Sequence, residues 1–103
     1  MFFCIATITW SLFSISAYTD ASGAPPYLGI TASGRPTDGT TIACGPTFPF
    51  GTRFLIDGVV KVCWDRGQGI SDRHLDVWME SYEAAILYGR HDERVGVIQD
   101  GCQ

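Results

Sequence analysis

Apolar and polar residues alternate along much of this chain with a period of two, which is typical of β-strands. Turns that contain glycine or proline separate the alternating segments, as expected for many short strands. The pattern predicts strands at residues 14–19, 28–34, 40–44, 53–56, 59–64 and 95–98. A mainly β fold is therefore expected.

The strongest local signal is Asp57-Gly58, which lies between two runs rich in apolar residues. A type I′ turn needs positive φ at both central residues, and Asp-Gly adopts that conformation readily. We expect a hairpin that joins residues 53–56 to residues 59–64. This hairpin brings Asp65 to the end of a strand.

From residue 78 onward the apolar period changes to that of a helix. Ser81 can cap the first turn, Glu83 lies near its positive end, and Gly89 can end the helix in a left-handed conformation. These signals predict one short helix, about 81–88. We expect its stripe of large side chains to pack in the core; the stripe comprises Trp78, Tyr82, Ala85 and Ile86.

The N-terminal segment has two interpretations. Residues 2–17 are uncharged, largely apolar and of the length of a signal h-region, but they lack a basic n-region. They are too short and too rich in Ser and Thr for a stable membrane span. Their alternation also fits an extra strand. We divide the chain into an apolar segment, 1–13, and a single domain, 14–103.

Composition excludes some partners. A chain of 103 residues can form one domain with a modest core, and its net charge is -4 with no cluster of Lys or Arg. Nucleic acid is not expected, because binding it requires a basic face.

The four cysteines lie at positions 4, 44, 63 and 102, and no two of them have C-x-x-C spacing. Zinc and redox motifs are therefore not indicated. Disulfides in an oxidising compartment are favoured, and buried reduced thiols are the alternative.

Polar residues concentrate in the segment 63–78, which contains three carboxylates, a histidine, two arginines and two glycines. Such a segment between buried anchors is either a site of chemistry or a solvated connection. Asp65-Arg66-Gly67 resembles an aspartic-protease turn, but that chemistry needs a second aspartate turn. A divalent-metal site is the other alternative, but the spacing of its four candidate ligands fits no EF-hand pattern; the four are Asp65, Asp72, His74 and Asp76. Asp72 is expected in a solvated turn.

Several short motifs together resemble the three-aspartate (3D) domain, found in the MltA class of lytic transglycosylases and in small bacterial and phage cell-wall proteins. The resemblance implies a six-stranded double-psi β-barrel with one short helix. The motifs are Tyr18, Thr31-Ala32-Ser33-Gly34, Pro49-Phe50-Gly51-Thr52, Asp65-x-Gly67, Leu75-Asp76-Val77, and Ser81-Tyr82-Glu83-Ala84-Ala85 before Tyr88-Gly89-Arg90.

The resemblance also implies an activity: cleavage of the β-1,4 bond between N-acetylmuramic acid and N-acetylglucosamine, leaving a 1,6-anhydro end, with no cofactor or metal. The family's second aspartate falls on Asp65, and the third, its acid/base, falls on Asp76. The first falls on Cys44, which is a departure. Because the sugar's own C6 hydroxyl attacks, one acid/base can suffice. Asp76 should be protonated at rest, and repulsion from Asp65 is expected to raise its pKa.

The same resemblance suggests further contacts with the sugar. Tyr18 and Ser33 lie near the family's groove, and the loop that follows Asp65 contributes Arg66, Gly67 and His74. Arg66 can instead pair with an aspartate, and His74 can simply face outward. The barrel also suggests two disulfides, Cys44 with Cys63 under the site and Cys4 with Cys102 at the termini.

Two functions remain open: a lytic transglycosylase, and a non-catalytic peptidoglycan-binding or phage structural module on the same barrel. In either case the expected partner is the glycan strand of peptidoglycan. We expect a monomer that is periplasmic, extracellular or phage-associated.

Overall fold

The computed structural model describes residues 4–19 and 29–102, which form a mainly β fold with one short helix. Six strands close into a barrel in the order β1-β5-β2-β4-β3-β6, which confirms the predicted fold class. The pairs β1–β5 and β2–β4 are parallel and the other four are antiparallel, consistent with a double-psi barrel. The elements are β1 (Cys4–Tyr18), β2 (Thr41–Ala43), β3 (Arg53–Ile56), β4 (Val59–Asp65), β5 (His74–Trp78), α1 (Tyr82–Tyr88) and β6 (His91–Cys102).

The core fills the inside of the barrel with alternate residues of its strands, as the period of two predicts. An aromatic cluster anchors one end, where the rings of Phe48 and Phe54 pack edge to face with centroids 5.2 Å apart. The largest fully buried side chains include Phe54, Ile15, Ile42, Leu75, Val77 and Val95. The neighbouring outward residues of the same strands are therefore available for a site.

The Asp57-Gly58 hairpin is confirmed. Both residues have positive φ, 50° for Asp57 and 77° for Gly58, and β3 pairs with β4 from Ile56 opposite Val59. As predicted, β4 ends at Asp65.

The terminal strands are longer than the sequence predicted. Strand β1 begins at Cys4 and runs without a break into the barrel, and β6 extends over residues 91–102. The two strands pair from Cys4 opposite Cys102 to Ile15 opposite His91. Of these, residues 4–13 of β1 and their β6 partners form a two-stranded ribbon that continues past the β1–β5 pairing.

One predicted strand is wrong, and one strand was missed. The described part of residues 28–34 makes only an isolated bridge, Ile30 with Pro36, around a turn at Gly34; residue 28 lies outside the described residues. Strand β5 was not predicted as a strand, because only Leu75 and Val77 alternate with polar residues and Trp78 was assigned to the stripe of the helix.

Helix α1 has the predicted caps. The Ser81 hydroxyl accepts a hydrogen bond from the Ala84 amide at 3.0 Å, and Gly89 follows with φ 68°. The prediction that its aromatic stripe is buried is wrong, since Tyr82 and Ile86 are 68% and 61% exposed. No described helix is long and apolar enough to cross a membrane.

The side of α1 that meets the barrel is smaller than the predicted stripe. Ala84 and Ala85 are half-buried, and Tyr88 packs against the core. The two alanines let the short helix approach β1 closely, which leaves the larger residues outside.

The predicted disulfide between Cys44 and Cys63 is present, with 5.8 Å between the Cα atoms. Both cysteines are fully buried. Cys4 is also disulfide-bonded, and the backbone register sets it opposite Cys102. Disulfides are typical of proteins in oxidising compartments.

Candidate active site

The two aspartates of interest lie in one row across four neighbouring strands. Ser16 of β1 is opposite Asp76 of β5, Asp76 is opposite Ala43 of β2, and Ala43 is opposite Asp65 of β4. The register of β2 against β4 shifts between Ile42 and Ala43. This irregularity makes Asp65, rather than Trp64, the partner of Ala43, and bulges commonly redirect a side chain in this way.

The Asp65 carboxylate is held by three donors. Its Oδ2 accepts a hydrogen bond from the Tyr18 hydroxyl at 2.7 Å. Its Oδ1 accepts from the backbone amides of Ala32 and Arg66, both at 2.9 Å. Asp65 thus ties the end of β1 and the loop at residue 32 to the end of β4, and its orientation is fixed.

The Asp76 carboxylate is held less tightly. Its Oδ1 accepts one hydrogen bond from the Ser16 hydroxyl at 2.9 Å, and Ser16 Oγ also lies 2.7 Å from His74 Nε2. Within the described residues, no side chain or amide donates to Oδ2 of Asp76. That oxygen is the one free to face a ligand.

Burial raises the pKa of the Asp76 carboxyl above its ordinary value of 3.8, because desolvation disfavours the charged form. The hydrogen bond from Ser16 and the charges of His74 and Arg90 lower the pKa and oppose this effect. The charge of Asp65 also raises it, but it is the smallest of these influences. The predicted direction therefore agrees, and repulsion by Asp65 contributes in the predicted sense, but burial is the main cause of the raised pKa.

The charge of Asp65 has little effect on the pKa of Asp76 because another residue lies between them. Ala43 occupies the strand position that separates Asp76 from Asp65. Two strand spacings place the Cα atoms roughly 10 Å apart, so their Coulomb interaction is weak. Ala43 itself is buried.

Arg66 is directed away from this row. Its Nη1 lies 3.1 Å from the sulfurs of both Cys44 and Cys63, and its Nη2 donates to the Phe48 carbonyl at 2.5 Å. Its guanidinium also stacks 4.2 Å from the centre of the Phe50 ring. The side chain therefore packs the loop that follows Cys44 against the disulfide, next to Asp65.

The other predicted contacts lie around the row. Ser33 is anchored by its amide to the Trp64 carbonyl at 3.1 Å and by its hydroxyl to Thr31 at 2.8 Å. Gly67 is exposed in the turn that follows β4, where a Cβ would come within 2.9 Å of Ile70. Ser33 and Gly67 thus flank the Asp65 end.

Asp72 is in a turn, as predicted, but it is not simply solvated. It is half-buried, and its Oδ1 accepts a hydrogen bond from the Thr47 amide at 3.1 Å. A Cβ on Gly45 would come within 2.6 Å of the Asp72 backbone, so glycine permits this close contact. Asp72 therefore holds two loops together.

Sequence reasoning missed Ser16 and Arg90 as members of the site. Ser16 holds Asp76, and Arg90 influences its charge while its Nε donates to the Ser14 hydroxyl at 3.2 Å. The signal for Ser16 is its outward position in the alternation of β1, between the inward Ile15 and Ala17. Nothing in the sequence alone pairs that position with Asp76.

No protein-family model and no curated protein matches this sequence. Three solved structures of the lytic transglycosylase MltA from E. coli are similar to it. An aspartate-to-alanine variant in an apo form has a TM-score of 0.62 at 24% identity. Two further crystal structures have TM-scores of 0.62 and 0.61 at 26% identity.

Each match covers 78% of this chain and 29% of the MltA chain. The chain therefore spans less than a third of the MltA protein. The described barrel has an MltA-like fold.

Proposed function

We propose that this chain acts on peptidoglycan as a lytic transglycosylase domain of the 3D type, with Asp76 as its acid/base. The observation that carries the proposal is the state of Asp76. Its carboxyl has a raised pKa, one oxygen bonded to Ser16 and the other free. A carboxyl in such an environment can hold and donate a proton. The MltA-like fold supports the choice of substrate.

In the proposed reaction, protonated Asp76 donates its proton to the oxygen between N-acetylmuramic acid and N-acetylglucosamine. The bond between that oxygen and C1 of N-acetylmuramic acid breaks. At the same time the C6 hydroxyl of N-acetylmuramic acid forms a new bond to its own C1. The C6 hydroxyl proton passes to the Asp76 carboxylate, which restores the starting state. Water takes no part, so a second catalytic carboxylate is not required.

Ser16 and His74 serve this step by holding Asp76. The Ser16 hydroxyl lies between Asp76 Oδ1 and His74 Nε2, at 2.9 Å and 2.7 Å. This chain of hydrogen bonds fixes the ring of His74 and the carboxyl in one orientation. In this proposal the other oxygen, to which no described residue donates, receives the substrate.

Asp65 has a positioning role in this proposal. Its two oxygens already accept from Tyr18, Ala32 and Arg66. It therefore keeps the Tyr18 ring and the loop of Ser33 at the edge of the surface where the sugar would lie. In this proposal, residues in the loop that contains Ser33 contact the glycan strand.

The proposed location is the cell envelope. The Cys44–Cys63 disulfide fits an oxidising compartment, where peptidoglycan is also found.

The test is digestion of purified sacculi, followed by mass spectrometry of the products. The wild type should release 1,6-anhydromuropeptides, each lighter by one water than a hydrolysis product. Asp76→Asn should reduce their formation by about 10²–10⁴-fold, the usual contribution of a general acid. Asp100→Asn is the matched control, because Asp100 is exposed on the ribbon and paired with Arg53. Equal product from Asp76→Asn and the wild type would contradict the proposed role of Asp76.

The second candidate is a peptidoglycan-binding module without catalysis. It is favoured by Cys44, which occupies the position of the first aspartate of the 3D pattern and is locked in a disulfide. Cosedimentation with sacculi, with no anhydro product from the wild type, would support this alternative.

A further inference from the structure

The N-terminal half of β1 has one unpaired edge. Residues 4–13 pair on one side with β6, while pairing with β5 on the other side begins only at Ser14. Within residues 4–19 and 29–102, no strand covers that edge before Ser14. An exposed edge of this length presents a row of backbone donors and acceptors to other chains.

This edge lacks the features that normally prevent such pairing. Proteins protect exposed edges with charged residues, proline or bulges. Residues 4–13 contain neither a charged residue nor a proline. Their register against β6 is continuous, so no bulge interrupts the ribbon.

The register shows which backbone groups face outward along the edge. The Ser14 amide donates to the Arg73 carbonyl on the β5 side, at 2.9 Å. Since the direction of the backbone groups repeats every second residue, even-numbered residues of β1 direct both groups to this side. The free groups therefore belong to Ala6, Ile8, Trp10 and Leu12.

We propose that two copies of this chain associate by antiparallel pairing of their β1 edges, about a two-fold axis at Thr9. In this register Ile8 lies opposite Trp10 of the second copy, and Ala6 lies opposite Leu12. Both are hydrogen-bonded pairs of an antiparallel ladder. Each is repeated by the symmetry, so all sixteen free N–H and C=O groups of the two edges, eight from each copy, gain partners.

The side chains of β1 are self-complementary in the same register. On one face Ile8 meets Trp10 and Ala6 meets Leu12, so apolar residues contact apolar residues. On the other face Thr9 meets its own copy and Thr7 meets Ser11, so hydroxyl meets hydroxyl. Cross-strand pairs of both kinds are favourable, and residues 5–13 of β1 bring no charged side chain to the contact.

The exposure of the apolar face gives this pairing a driving force. Trp10 and Leu12 are 49% and 59% exposed. Ile8 and Trp10 already lie over Gly96, where a Cβ would come within 2.6 Å and 3.4 Å of them. A second ribbon would extend this apolar layer and cover part of its exposed area.

The proposed contact is separate from the candidate active site. Asp76 is opposite Ser16 and Asp65 bonds to Tyr18, both near the C-terminal end of β1. Variants at residue 9 can thus change assembly without touching the Asp76 carboxyl. This proposal does not depend on the proposed function.

Sedimentation of the full chain tests the proposal. The wild type should show a concentration-dependent dimer. Thr9→Lys places two like charges opposite each other at the axis and should weaken the dimer at least about tenfold. Thr9→Glu should do the same, and an equal mixture of the two variants should restore a heterodimer. Thr7→Lys is the matched control, because it faces Ser11 and does not oppose its own copy.

A monomer at all concentrations of the wild type would overturn the proposal. So would a dimer that Thr9→Lys leaves unchanged, or a mixture of the charged variants that stays monomeric.

Cross-linking tests the register separately. In the proposed pairing the two Thr9 Cα atoms are about 4.5 Å apart, within the range of a disulfide. The two Thr7 Cα atoms are about 14 Å apart, at four residue spacings. Thr9→Cys should therefore form a covalent dimer under oxidation and Thr7→Cys should not. Equal cross-linking of both variants would overturn the register.

Discussion

The two carboxylates of the row have the same side chain but different surroundings. Asp65 accepts hydrogen bonds from one hydroxyl and two backbone amides. Asp76 accepts one hydrogen bond, from Ser16, and burial raises its pKa. Donors hold the first in place, while desolvation raises the pKa of the second.

In the proposed function, this difference separates a positioning residue, Asp65, from a reacting one, Asp76. A carboxylate whose oxygens are already occupied by protein donors organises the loops around it. A half-buried carboxyl with a free oxygen can exchange a proton with a ligand. The division of roles follows from the partners of each aspartate, since Ala43 keeps the two too far apart to act as a coupled pair.

The largest predicted change in stability should come from removing the disulfide beside Asp65. Replacing Cys44 and Cys63 together by serine should lower the free energy of unfolding by about 3 kcal/mol, the value for a closed loop of this length. The bridge spans 19 residues, and Arg66 packs against both sulfurs. Chemical denaturation of the variant and the wild type measures the change.

The same variant should change the structure around Asp65 more than the structure around Asp76. Amide chemical shifts should change most at Ala32 and Arg66, whose amides bond to Asp65. Larger changes at Ser16 and His74 would contradict the separation of the two surroundings.

A smaller loss of stability should come from replacing either aspartate by alanine. Asp65→Ala removes the acceptor of three donors and should cost about 2 kcal/mol of stability. Asp76→Ala removes the acceptor of one donor, Ser16, whose hydroxyl still has His74 Nε2 within hydrogen-bond distance, and at neutral pH it also removes the cost of ionising a half-buried carboxyl. It should therefore cost less than Asp65→Ala in denaturation at pH 7.

The pH dependence sharpens this prediction. Because the folded pKa of Asp76 is raised, its ionisation reduces stability as pH rises from its ordinary value of 3.8 through the raised value. Below pH 3.8 this penalty is absent. The stability of Asp76→Ala relative to the wild type should thus improve as pH rises. The opposite trend would contradict the raised pKa.

Local signals predicted the parts of the fold that depend on few residues. Asp57-Gly58 has the turn chemistry of its hairpin, and Ser81 and Gly89 cap their helix. The register within the barrel is different, because it depends on contacts between distant residues. The bulge that aligns Asp65 with Ala43 has no local signature.

The candidate site shows the same limit. Asp65 and Asp76 could be selected from the sequence through the motifs around them, whereas Ser16 could not. Its role requires β1 to pair in parallel with β5, 60 residues away along the chain. The cause of the Asp76 pKa shift was also inaccessible, because burial depends on how α1 and the strands pack. The exposed side of α1 could not be predicted either, because it depends on which face of the helix packs against β1.

The most direct test of the acid/base role of Asp76 is an NMR titration of its side-chain carboxyl in the folded protein. We predict a pKa above the ordinary value of 3.8, because desolvation is the largest influence on this group. A pKa at or below 3.8 would leave Asp76 without a proton to donate and would contradict its role as the acid/base.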